Sequence, residues 1–72
     1  MIRYKIDVLR ALKEAGYTTY RLQKEKLISA GTVQKIRNGD ASLSAETINV
    51  ICDILECQPG EVLEWYRGQD LH

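Results

Sequence analysis

One repeated cap pattern constrains this chain more than any other feature of it. Thr18, Ser29 and Ser44 are each preceded by an apolar residue and followed, four positions on, by another. The pairs are Tyr17 and Leu22, Ile28 and Val33, and Leu43 and Ile48. A hydroxyl at a helix N-cap accepts from an orphan amide of the first turn, and the flanking apolar pair clamps the entry of the chain. Cys57 and Val62 repeat the spacing around Gln58, with Pro59 at the first helical position and Glu61 placed for a capping box. The chain is therefore predicted to start four helices at these points.

A further helix precedes them. Ile6, Leu9, Leu12 and Ala15 lie at helical spacing, Val8 and Ala11 widen the stripe, and Gly16 is a C-terminal cap. In the third helix Val33 and Ile36 face inward, and Asn38-Gly39 ends it. The fourth carries Ile48, Ile51, Cys52 and Leu55, and the fifth carries Val62, Leu63 and Tyr66. No segment sustains an alternation of period two, so no strand is predicted. The expected fold is all-α, a five-helix bundle in a single domain over residues 1–72. The second and third helices are joined so tightly that they must cross steeply, as in a helix-turn-helix.

Composition bounds what such a bundle can do. A chain of 72 residues buries only about 60% of its unfolded surface, which leaves little room for an enzyme cleft. No apolar run reaches the roughly 18 residues a membrane span needs. Met1-Ile2-Arg3-Tyr4-Lys5 lacks the features of a secretion signal, so a cytoplasmic location is expected. Cys52 and Cys57 match neither a zinc pattern nor a Cys-x-x-Cys pair, and are read as small buried hydrophobes. The one histidine, His72, is the last residue and is read as disordered. No catalytic constellation, metal site, cofactor fingerprint or small-molecule effector pocket is recognised.

Net charge is zero, but its distribution is not even. Residues 1–39 hold nine basic side chains against three acidic ones, a balance of +6; residues 40–72 hold one against seven, a balance of −6. A basic half of this kind suits a surface that meets phosphate.

The segment TTYRLQKEKLISAGTVQKIRNG, residues 18–39, resembles the helix-turn-helix of phage repressor/Cro-like (xenobiotic-response-element type) regulators. The matching positions are Thr18, Leu22, the Ile28-Ser29 turn, Thr32, Val33, Ile36 and Asn38-Gly39. The following SLSAETINVICDILECQPGEVLEW is similar to the family's fourth and fifth helices, in its compact single-domain branch. Two positions depart from the pattern: Gln23 stands for the usual alanine, and Leu27 for the usual turn glycine. A left-handed Leu27 would be strained, which predicts an altered turn with a longer second helix.

The resemblance implies a prokaryotic regulator binding double-stranded DNA, its third helix (about residues 29–38) in the major groove. It assigns base reading to Ala30, Gly31, Gln34 and Lys35, with Gln34 suited to adenine and Lys35 to guanine. It assigns phosphate contact to Thr18, Thr19, Arg21, Ser29, Thr32, Arg37 and Asn38, with Tyr20 and Lys24 as helpers. Family habit implies a homodimer, and Leu63, Trp65 and Tyr66, placed in the fifth helix, are its candidate contacts. Two alternatives keep the fold: a protein-interaction module without DNA binding, and an antitoxin-like component whose acidic half holds a basic partner. An RNA-binding role finds no aromatic stacking platform.

Overall fold

The computed structural model describes residues 1–68; His72 lies outside the described residues. The elements in chain order are β1 (Ile2–Tyr4), α1 (Val8–Glu14), α2 (Thr19–Lys24), α3 (Ala30–Arg37), α4 (Ala45–Leu55), α5 (Pro59–Val62) and β2 (Leu63–Trp65). Five helices are present among the described residues, as predicted, and each of the four caps stands where the sequence put it. The hydroxyls of Thr18, Ser29 and Ser44 accept from the amides of Arg21, Thr32 and Thr47 at 3.1–3.2 Å. At the fourth, the Glu61 carboxylate accepts from the Gln58 amide at 2.9 Å. A fifth cap escaped the sequence reading: Asp7 starts α1 by accepting from Arg10 N–H at 3.2 Å. Ile6, read as helical, therefore precedes α1 and is 38% exposed.

The core draws on all five helices and on the α2–α3 turn. Val8 and Leu12 of α1 meet Leu22 of α2, Ile28 of the turn, Val33 and Ile36 of α3, Ile51 of α4 and Val62 of α5. No polar side chain is buried among the described residues. Of the staple residues, Tyr17, Leu43 and Cys57 pack against this core, whereas Ile48 lines a groove beside it. Packing of α1 on both α3 and α4 ties the helix-turn-helix to the second half of the chain.

The fold is not strictly all-α. β1 and β2 pair antiparallel, with Ile2 opposite Trp65, Arg3 opposite Glu64 and Tyr4 opposite Leu63. The ladder continues past both ends: Met1 and Tyr66 exchange backbone bonds, and Lys5 N–H donates to the Val62 carbonyl at 2.8 Å. The fifth helix accordingly stops at Val62, and Leu63, Trp65 and Tyr66 lie in or just after a strand rather than in a helix. Each strand has three residues, too few to show an alternation, and their pairing joins the two ends of the described chain.

The turn between α2 and α3 also differs from expectation. α2 is not lengthened; it ends at Lys24. The left-handed residue is Lys26, at φ 56°, not Leu27. Leu27 is half-buried against the core, and its N–H donates to the Leu22 carbonyl at 2.9 Å. The exposed lysine takes the strained position and the leucine keeps its packing. Gln23 is exposed, so the missing alanine leaves no crowding between the two helices.

Candidate nucleic-acid interface

The outward surface of α3 follows from its buried one. Val33 and Ile36 face the core, so at 100° per residue the opposite face carries the residues spaced i, i+3, i+4 and i+7 from Gly31. These are Gly31, Gln34, Lys35 and Asn38, all exposed. Ala30 is exposed at the N-terminal edge of this face. At Gly31 a Cβ would meet nothing within 4 Å; no packing demands a glycine there, and the space above it is open to a base edge.

A chain of hydrogen bonds orients the polar groups on this face. Arg37 Nη1 donates to Gln34 Oε1 at 3.3 Å, and Gln34 Nε2 donates to Asn38 Oδ1 at 3.2 Å. The Gln34 amide thus keeps its acceptor toward Arg37 and its donor toward Asn38. Both contacts are long and exposed, so they exchange readily for the paired donor and acceptor of an adenine. Lys35 is held differently. Its Nζ donates to the Ser42 carbonyl at 2.9 Å, across the α3–α4 loop. That loop is braced by Asp40, whose Oδ1 accepts from the Ser42 amide and hydroxyl at 2.9 and 2.6 Å. These bonds lower the Asp40 carboxyl below its ordinary value.

Apart from Asn38, on the outward face of α3, and Arg21, the residues assigned to phosphate divide into two groups. Thr18, Thr19 and Arg37 line one cleft of about 570 Å³ together with Asp7, Leu9, Arg10 and Lys13. Three cations therefore converge on the start of α2. Arg10 reaches Glu14 at 3.4 Å, while neither Lys13 nor Arg37 pairs with a described carboxylate. Ser29 and Thr32 sit at the start of α3, where the Ser29 hydroxyl donates to Thr32 Oγ1 at 3.0 Å and caps the helix. Arg21 stands apart. It pairs with Glu25 at 2.7 Å, donates to the Gly16 carbonyl at 3.0 Å and stacks 4.1 Å from the centre of the Tyr17 ring. The Glu25 bond raises its pKa further. Arg21 braces α2 against the preceding turn and is already engaged. Of the helpers, Lys24 lies 5.7 Å from the centre of the exposed Tyr20 ring.

Arg10 and Lys13 of the first helix were missed by the sequence reading. The signal was present: residues three apart on a helix share a face, and here that face is opposite Val8 and Leu12. Only the packing of α1 beside α3 turns it toward the start of α2. The candidate dimer residues gather elsewhere. Trp65 is 64% exposed, Leu63 is half-buried, and both line a groove of about 410 Å³ with Ile2, Leu43 and Ile48. Tyr66 points the other way, its ring centre 4.4 Å from the Arg3 guanidinium.

Comparison with known proteins agrees with this geometry. The model of the Cro/C1-type HTH DNA-binding domain matches residues 5–68. A relative from Bacillus subtilis (strain 168), YozG, described as an uncharacterized HTH-type transcriptional regulator, is 33% identical over 66 residues. That match spans 90% of this chain and 76% of the relative. No solved structure matches the chain. Among the described residues no helix is long and apolar enough to cross a membrane. The family model covers the capped helix pair, the outward face of α3 and the cationic cleft alike, and the chain belongs to the Cro/C1-type helix-turn-helix DNA-binding domain family.

Proposed function

We propose that this chain is a sequence-specific regulator of transcription that binds duplex DNA with α3 in the major groove, acting in the cytoplasm without a cofactor. The observation that carries the reading is Arg37, which lines the cleft of Arg10 and Lys13 and donates to Gln34 on the outward face of α3. Gln34 is the principal base reader. Ala30 and Gly31 let the helix approach closely, with Ala30 available to a thymine methyl. Lys35 adds charge and reads guanine only after leaving the Ser42 carbonyl. Thr18, Thr19, Ser29, Thr32, Arg37 and Asn38 contact phosphate, joined by Arg10 and Lys13; Arg21 acts as a brace.

A single module of this size buries little of a duplex and binds weakly. A homodimer on two half-sites about one helical turn apart supplies the missing affinity. Its contact is the apolar groove at Ile2, Leu63 and Trp65, and Tyr66, turned toward Arg3, lies outside it. The relative described as a transcriptional regulator supports DNA binding over a module serving a protein partner alone.

The test is selection from a random duplex pool, followed by affinity measurements across a salt series. The expected result is an enriched, two-fold-related site, with Gln34→Ala losing about 1–3 kcal/mol of discrimination at one position per half-site. Failure of any sequence to enrich at low salt would overturn the reading and return a protein partner to first place.

A further inference from the structure

α4 ends in a turn that brings the two cysteines together. Glu56 takes the left-handed conformation at φ 51°, and Cys57 N–H donates back to the Cys52 carbonyl at 3.1 Å. This is the six-to-one bond of a Schellman turn, and the two residues it joins are also those whose side chains meet across it. In most helices that contact is made by hydrocarbon; here both positions are thiols. The sequence reading of these residues as buried hydrophobes needs correction. Both are half-buried, both are free thiols, and both line an open groove of about 570 Å³ between α4 and the start of α5. The main-chain bond between them and the groove they share set the two side chains on the same side of the turn.

We propose that Cys52 and Cys57 form an oxidisable dithiol, a modification site at which a peroxide-class oxidant closes an intramolecular disulfide. The chemistry is balanced in two steps. The Cys52 thiolate attacks one peroxide oxygen, the O–O bond breaks, and the departing oxygen leaves as water after taking a proton, giving a Cys52 sulfenic acid. Cys57 sulfur then attacks Cys52 sulfur, the S–O bond breaks, and hydroxide leaves with the Cys57 proton as a second water. Two thiols and one peroxide become one disulfide and two waters. A dithiol reductant reverses the step by exchange.

The order follows from the surroundings. Burial and the adjacent Cys52 sulfur raise the Cys57 thiol, with Glu61 adding to the effect. Cys57 is thereby the poorer first nucleophile and takes the second, resolving role. Metal capture fits less well, because the described residues contain no cluster of three or more His, Cys, Asp or Glu able to hold an ion. The cross-link fixes the α4–α5 turn, and its site is separate from the DNA surface, so it stands whether or not the regulator reading holds.

The experiment treats the reduced full chain with hydrogen peroxide, once folded and once in denaturant, and follows free thiols and intact mass. In the folded chain both thiols are expected to vanish together with the loss of two hydrogens, and dimedone should trap at least about tenfold less sulfenic acid than in denaturant, because proximity speeds the closing step. Dithiothreitol should restore them. In Cys57→Ser the reaction is expected to stop at a Cys52 sulfenic acid that dimedone traps. Equal trapping in both states, or products linked only between chains, would overturn the proposal. If Cys57→Ser does not fold, the trapping measured on the unaltered chain in the two states decides alone.

Discussion

At Lys26 the main chain adopts φ 56°, a conformation that crowds the Cβ of any residue but glycine. The sequence pattern points to position 27, where the family carries a glycine, and so places the strain on Leu27. The structure moves it by one. Leu27 would lose a half-buried contact with the core by taking the strained position, whereas the exposed side chain of Lys26 has no such contact to lose. Lys26→Gly is therefore expected to raise stability by up to about 1 kcal/mol, read as a higher urea midpoint. A lower midpoint would show that Lys26 is not held left-handed. At Arg21 the outcome is similar in kind. Its charge and helical position are legible in the sequence, but its engagement by Glu25, Gly16 and Tyr17 arises from three neighbours in space.

Among the elements, helices and strands differ in how far they can be read. Each helix start announces itself within a few residues, because a cap and its staple are local. β1 and β2 do not, since three residues of strand carry no period and the partners lie about sixty positions apart. Their alternation becomes visible only once they pair. Ile2, Tyr4, Leu63 and Trp65 then share one face, and Arg3 and Glu64 share the other, ion-paired at 2.6 Å. The inner half of the apolar face, Tyr4 and Leu63, packs on the core. The outer half, Ile2 and Trp65, is exposed at 52% and 64% beside a groove. An exposed cross-strand apolar pair of this kind suits a second copy of the chain. Sedimentation of the wild type is expected to show a concentration-dependent dimer, and Trp65→Lys a monomer with unchanged helical content. A wild type that stays monomeric at high concentration would remove this face from the assembly.

Across the whole molecule, the opposed charges of the two halves of the sequence become a surface with an address. The basic half does not spread its cations evenly: Arg10, Lys13 and Arg37 converge on one cleft at the start of α2. The acidic half supplies partners only locally, as where Glu64 pairs with Arg3 across the sheet. Neutralising one cation in the cleft should therefore weaken binding without altering preference. Lys13→Ala is expected to lower affinity for specific and unrelated duplexes by the same factor. It should also reduce the slope of log affinity against log salt by about 0.9, the release of one condensed counterion. An unchanged salt slope would place Lys13 off the phosphate backbone.

The helix count, the four Ser, Thr and Gln caps, the inward residues of α3 and the outward face that Gln34 shares with Asn38 were all determined by the sequence itself. Each depends on spacing within one helix or across its first turn, and such spacing is a local property of the chain. Tertiary structure decided what local spacing cannot carry. It paired the two strands, moved the left-handed residue from Leu27 to Lys26, and tied Lys35 to Ser42. It also brought Arg10 and Lys13 to the side of Thr18 and Arg37. In each case the deciding interaction joins residues from different elements, or sets a residue's exposure against a core that exists only after those elements have packed.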